Sequence, residues 1–208
     1  MIKNIIFDWS GVIKDAVDDH VWVVNKMFEN LGGQRIELEE MRQNWEQPYM
    51  KFWNKYYPNM TLDQEQKIYY QAIFDNNCPL AKVYPGIVEL IKKFKLNGIE
   101  MTVLSSDPPE TLLQEIKKFE LTGIFRDVFC KVHDKAEEIH NLISKNKFKP
   151  KETVFIGDTN HEIEVGKIAG IKTVAVTWGF YPEDRLKLLN PDYLVRNLKE
   201  LENVILSK

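Results

Sequence analysis

The chain has 208 residues, 44% of them apolar and 28% charged, which suits one sizeable globular core with a smaller subdomain and excludes a disordered or fibrous protein. Its formal net charge is −3 with lysines and acids interspersed, so there is no basic stripe for nucleic acid, and a small anionic partner met by locally focused charge is expected instead. No apolar run approaches the roughly 20 residues of a membrane span, and Cys78 and Cys130 lack metal-site spacing and cannot form a disulfide framework. These features predict a soluble, cytoplasmic protein with two buried free thiols.

In chain order, the first apolar strand is predicted over 3–7 and runs straight into Asp8. Helix after helix follows. Val17, Val21, Val24, Phe28 and Leu31 step by four, three, four and three residues before Gly32-Gly33, the pattern of an amphipathic helix closed by a glycine cap. Further helices are predicted over 37–46, 48–57 and 61–76, the last opening with Thr61 and Gln64 in capping-box spacing. The aromatics of this stretch, Trp22, Trp45, Tyr49, Phe52, Trp53, Tyr56, Tyr69 and Tyr70, are read mainly as the core of a helical bundle. A few are left to line a cavity beneath it.

From about residue 84 the texture changes to strand and helix in alternation. Ile87, Leu90, Ile91 and Phe94 share a helical face that stops near Gly98, and a strand at 101–104 follows. Leu112, Leu113, Ile116 and Phe119 mark a helix after Pro108-Pro109, and another is predicted over 136–145. Strands at 128–130, 153–156 and 173–176, with a weaker one at 193–195, complete the series. Alternation at this spacing predicts an α/β fold with a doubly wound, Rossmann-like parallel sheet. The core comprises 1–14 and 84–208, with a helical cap inserted at 15–83. Its hinges are expected at Lys14-Asp15 and around Val83-Tyr84-Pro85-Gly86.

Two strands end in aspartate: Phe7-Asp8-Trp9-Ser10-Gly11-Val12-Ile13 and Val154-Phe155-Ile156-Gly157-Asp158-Thr159. Carboxylates at the carboxyl ends of neighbouring parallel strands meet in the crevice where open α/β sheets bind ligands, and two hard oxygen donors there suit Mg²⁺. This pairing points to phosphate chemistry. His20, His133 and His140 have no metal-ligand spacing, and His161 is read as a surface or loop residue because hard Mg²⁺ prefers oxygen.

Together with Ser105-Ser106 after the strand at 101–104, and Glu162 four residues after Asp158, these motifs resemble the haloacid dehalogenase-like (HAD) superfamily. The likeness is to its phosphoglycolate phosphatase-like members with a helical cap after the first motif. It spans nearly the whole chain and is strongest in the core. The resemblance implies a Mg²⁺-dependent hydrolase of a small phosphorylated metabolite, acting as a monomer or homodimer. By the same resemblance Asp8 is the nucleophile that forms an aspartyl-phosphate, and it also binds the metal. The carbonyl of Ser10, Asp158 and Glu162 are further metal ligands, Glu162 directly or through water, with Glu164 as an alternative at a different spacing. Ser105, with Ser106 beside it, hydrogen-bonds the phosphoryl group, and the backbone amides of Trp9, Ser10 and Gly11 cradle it. Lys135 holds phosphate and nucleophile together, with Lys131 as its rival, since the family's usual Lys-Pro pair is missing.

Ser10 departs from the family pattern. Related phosphatases carry an Asp there that protonates the departing alkoxide and then activates water. Such general acid–base help is worth roughly 10²–10⁴ in rate. A serine hydroxyl supplies neither function near neutral pH, so a slow enzyme, or one selective for good leaving groups, is expected. Two other readings stay open. Phosphonoacetaldehyde hydrolases of the same superfamily have Asp-Trp-Ala at the first motif and need a cap lysine for a Schiff base, for which Lys26, Lys51, Lys55 and Lys67 are available. The other is a catalytically impaired phosphate-binding or regulatory protein.

Overall fold

The computed structural model describes residues 1–207. Strand β1 (Asn4–Phe7) is buried along its whole length, because Ile5 and Phe7 face one apolar layer and Ile6 the other. A two-residue strand, β2 (Lys14–Asp15), leads into four helices: α1 (Val17–Asn30), α2 (Leu38–Asn44), α3 (Met50–Tyr56) and α4 (Leu62–Ile73). β3 (Lys82–Val83) returns antiparallel to β2, pairing Lys14 with Val83 and Asp15 with Lys82, so the helical stretch leaves and re-enters through a short ribbon. The Thr61–Gln64 capping box forms as predicted. Helix α4 stops three residues short of expectation, where the Asp75 carboxylate accepts the Asn77 N–H at 2.8 Å and turns the chain away from the helix.

The remainder alternates: α5 (Ile87–Leu96), β4 (Glu100–Leu104), α6 (Pro109–Lys118), β5 (Asp127–Phe129), α7 (Lys135–Asn146), β6 (Thr153–Gly157), α8 (Asn160–Ile168), β7 (Lys172–Val176), α9 (Glu183–Leu188), β8 (Tyr193–Val195) and α10 (Leu198–Leu206). The six long strands form one parallel sheet in the order β5-β4-β1-β6-β7-β8. Apolar faces of α5, α6 and α10 cover one side, and those of α7 and α8 the other. The chain builds outward from β1 to β5 and then crosses to β6 on the opposite flank. The crevice beyond β1 is therefore the topological switch point, where such sheets bind ligands.

The four helices enclose an aromatic cluster containing Phe28, Trp45, Phe52 and Trp53, which merges with Phe180, Tyr181 and Leu186 beside the sheet. Polar contacts tie the two parts together: the Tyr181 hydroxyl donates to the Trp45 carbonyl at 2.5 Å, and the Arg185 guanidinium donates to the carbonyls of Arg42 and Trp45. Cys78 and Cys130 are free thiols, but both are half-buried rather than sealed in the core as expected, because each lies outside the regular elements, Cys78 in the loop between α4 and β3 and Cys130 just past β5. Among the described residues, no helix is long and apolar enough to cross a membrane.

Candidate active site

Parallel register sets the site. β1 pairs with β4 on one side and β6 on the other, so the residues just beyond them, Asp8, Ser105 and Asp158, emerge side by side at the carboxyl edge. The Asp8 N–H donates to the Ile156 carbonyl at 2.9 Å, which extends the β1–β6 ladder as far as the carboxylate. Asp8 Oδ1 accepts from the Trp9 N–H at 2.7 Å and lies 2.9 Å from Lys135 Nζ. Lys135 opens α7 behind the Asp134 N-cap, and its ammonium also reaches Glu162 Oε1 at 2.5 Å.

Glu162 is placed by a second capping box, one that Thr159-Asn160-His161-Glu162 spells in the sequence. The Thr159 hydroxyl and N–H both donate to Glu162 Oε2, at 2.8 and 3.3 Å, while the helix N-terminus pairs back onto Thr159. Gly157 has to be glycine, since a β-carbon there would run into the Glu162 side chain. Gly11 is constrained twice over: its φ of +85° lies in the left-handed region, and a β-carbon would strike the Asp158 carboxylate.

Ligand oxygens of Asp8, Asp158 and Glu162 all lie within 4.8 Å of one another, and all three residues are buried. Among the described residues Lys135 is the single cation in ion-pair contact with this trio. Burial, reinforced by the neighbouring Glu162, pushes Asp158 up to about 7. Burial likewise raises Asp8 well above the carboxylate range, although Lys135 opposes it. Glu162 behaves differently: burial pushes it upward, but Lys135, His161 and the Thr159 hydrogen bond together outweigh burial and hold it at about 2. Asp158 Oδ2 accepts the Phe180 N–H at 2.7 Å, while its buried Oδ1 has no partner. An orphaned carboxylate oxygen facing two other hard donors, with one lysine against three acids, is a donor set that fits a divalent cation such as Mg²⁺.

Other expected residues are placed differently. The Trp9 indole points into the core, stacked on Phe119 at 6.1 Å with Nε1 donating to Glu115 Oε2 at 2.6 Å. Of the amides expected to cradle phosphate, that of Trp9 is taken by Asp8 and that of Gly11 by the Lys14 carbonyl, at 2.9 Å, because the loop closes on itself. Ser106 lines the cavity, whereas Ser105 is fully buried and its Oγ donates to Asp107 Oδ2 at 2.7 Å. Lys131 lines the cavity, with its ammonium above the Tyr70 ring. Glu164 is engaged by Asn160 Nδ2 at 3.1 Å. His161 is not a surface residue as expected: it is buried in α8 with Nε2 3.0 Å from Asp134 Oδ1, because α8 turns that face onto α7.

Sequence reading passed over Asp107. Its carboxylate accepts from Ser10 Oγ at 2.9 and 3.1 Å as well as from Ser105, which brings an acid to the position the first motif lacks. The available signal was an acid two residues beyond Ser105. A cavity of 470 Å³ opens from Asp8, Ser10 and Asp158 toward the helices, walled there by His20, Trp45, Tyr49, Glu65 and Tyr69.

The model for haloacid dehalogenase-like hydrolases matches residues 5–176, from β1 to the end of β7 and so through every element that builds this crevice. The chain belongs to that family. Among its relatives, the pyrophosphatase PpaX of Halalkalibacterium halodurans is 28% identical over 132 residues, a stretch that spans 61% of either protein. Phosphoglycolate phosphatase of Synechococcus elongatus is 22% identical over 96% of this chain and 95% of that one. Among solved structures, a protein described as a predicted phosphatase from Clostridium acetobutylicum superposes with a TM-score of 0.87 over the full length of both chains, at 22% identity. A haloacid dehalogenase-like hydrolase from Streptococcus pneumoniae does so at 0.80 over 96% of each, at 21% identity.

Proposed function

We propose that this HAD-like hydrolase is a Mg²⁺-dependent phosphatase of a small phosphorylated metabolite, acting in the cytoplasm through phosphoryl transfer to Asp8. The observation that carries this reading is the contact of Asp8 with Lys135 at 2.9 Å inside the Asp8–Asp158–Glu162 cluster. A carboxylate attacks a phosphate only where surrounding charge offsets the repulsion between two anions. Lys135 does so from one side. Mg²⁺, held by Asp8, Asp158, the Ser10 carbonyl and Glu162, would neutralise phosphoryl charge from the other.

Asp8 then displaces the leaving group in line, and water releases phosphate from the aspartyl-phosphate. At the β4 edge Ser106, which lines the cavity, would hold phosphoryl oxygens, whereas the buried Ser105 hydroxyl is engaged by Asp107. Residues 15–83 serve as the cap, and their cavity wall selects the rest of the substrate and excludes water when closed. The relatives' names, phosphoglycolate phosphatase and pyrophosphatase, support small phosphorylated substrates as the class.

The carbon–phosphorus reading needs a lysine nucleophile in the cap. None of Lys26, Lys51, Lys55 and Lys67 lines the cavity. Lys14 does, but its ammonium is held by Glu115 at 2.9 Å; burial pulls its pKa down, and the carboxylates of Asp107 and Glu115 more than reverse this, so it stays charged.

A panel of aryl and alkyl phosphates with and without Mg²⁺ tests the proposal. Turnover that requires Mg²⁺ and vanishes in Asp8→Asn supports it. A folded protein that binds Mg²⁺ and phosphate yet turns nothing over would instead be a phosphate-binding module.

A further inference from the structure

The missing acid of the first motif has a substitute in space. Ser10 stands where the chemistry calls for a carboxylate, and its hydroxyl donates to both oxygens of Asp107, at 3.1 and 2.9 Å. Asp107 comes from the loop after β4 and is fixed from three directions. Its N–H donates to Ser105 Oγ at 3.1 Å, its Oδ2 accepts from that same hydroxyl at 2.7 Å, and its carbonyl accepts the Lys131 N–H at 2.8 Å. It lines the same cavity as Asp8 and Ser10 and is 8% exposed, so it is screened from bulk water yet open to a bound substrate.

Resting on the phosphatase reading above, we propose that Asp107 is the general acid–base of this site, with the Ser10 hydroxyl as its positioning residue. In the first half-reaction an Asp8 oxygen bonds to phosphorus, the bond from phosphorus to the leaving oxygen breaks, and that oxygen takes the proton of the Asp107 carboxylic acid. In the second, a water oxygen bonds to phosphorus, the bond to Asp8 breaks, and the water proton passes to the Asp107 carboxylate. The sum is ester plus water giving alcohol plus phosphate, with Asp8 and Asp107 both returned to their starting states. A carboxylate supplied from the β4 loop does the work of one on the β1 loop because the two loops leave adjacent, in-register strands.

The test compares wild type, Asp107→Asn, Ser10→Asp and the double variant Ser10→Asp/Asp107→Asn on p-nitrophenyl phosphate and on an alkyl phosphate, all with Mg²⁺. Asp107→Asn should slow the alkyl ester by roughly 10²–10⁴-fold, the usual worth of general acid–base catalysis, and the aryl ester much less, since nitrophenolate leaves without a proton. Ser10→Asp alone should not accelerate the alkyl ester, because an acid is already present and the substitution replaces the hydroxyl that positions Asp107 with a second carboxylate beside it. Added to Asp107→Asn, it should restore most of the lost rate, which a merely structural defect at Asp107 would not allow. Equal loss on both esters, no loss on either, or strong activation by Ser10→Asp in the wild-type background overturns the role of Asp107 while leaving the phosphatase reading standing. Absence of turnover in wild type on every ester overturns both together.

Discussion

The carboxylate of Glu162 meets the ammonium of Lys135 at 2.5 Å, with only 1% and 3% of the two side chains exposed. The pair has no access to water, and Lys135 serves Asp8 as well, so one cation holds two buried acids in place. Removing one partner of a buried pair costs about 3–5 kcal/mol, because the other charge is left without compensation. Lys135→Met should therefore lower the unfolding free energy by about that amount in metal-free denaturant titrations at pH 7, and it should abolish Mg²⁺-dependent turnover.

Asp158→Asn should act in the opposite direction on the metal-free protein. Burial raises Asp158 from 3.8 to about 7, so the folded state disfavours its charge, and stability it contributes below pH 3.8 is lost as pH rises through 7. An asparagine oxygen can still accept the Phe180 N–H, and it removes one of the three crowded acids. Without metal, the variant should be more stable than wild type at pH 8. With Mg²⁺ at 100 times its Kd, wild type should gain about 2.7 kcal/mol and the variant almost nothing, as read by chemical denaturation.

Glu65 gives the helical stretch a pH signature. It is 3% exposed on α4, facing the cavity, and burial raises it from 4.5 to about 8, with the Trp53 side chain pulling slightly the other way. The folded state therefore binds the extra proton between those values. The contribution of Glu65 is fully present below pH 4.5 and is lost as pH climbs through 8. Glu65→Gln should flatten this limb of the stability profile, and above pH 8 it should exceed wild type by up to roughly 5 kcal/mol, since each pH unit across that window is worth about 1.4 kcal/mol. Melting curves from pH 5 to 9 measure this.

Trp9→Phe separates the structural work of the first motif from its chemistry. The aromatic face that stacks on Phe119 is kept, but the hydrogen bond from Nε1 to Glu115 at 2.6 Å is lost, which leaves that buried carboxylate to Lys14 alone. An unfolding cost of about 1–3 kcal/mol is expected. Because the indole lies outside the cavity wall, KM for a phosphate ester should change little.

Strand positions were legible because each of the six core strands is a short apolar run between polar turns, and those runs need no knowledge of their neighbours. The helical stretch was legible from periodicity and from Thr61 and Gln64. The two-residue strands Lys14–Asp15 and Lys82–Val83 were not, since so short a ladder leaves no sequence pattern and forms only when the chain ends of the helical stretch are brought together. His161 misled for a related reason: its polarity suggests the surface, but it is buried because its α8 position faces Asp134 at the start of α7.

By itself the sequence determined the α/β alternation, the strand-end placement of Asp8 and Asp158, and the absence of an acid at position 10. Each is a local property, fixed by apolar runs and by the residue that ends them. Only the tertiary structure decided that Lys135 reaches Asp8, that Glu162 pairs its charge with Lys135, and that Asp107 stands against Ser10. Those contacts join residues 27 to 127 positions apart in the chain, and no local pattern encodes them. They exist because parallel pairing of β5, β4, β1 and β6 carries the four segments that follow them to one edge of the sheet, where side chains of unrelated segments come within hydrogen-bonding distance.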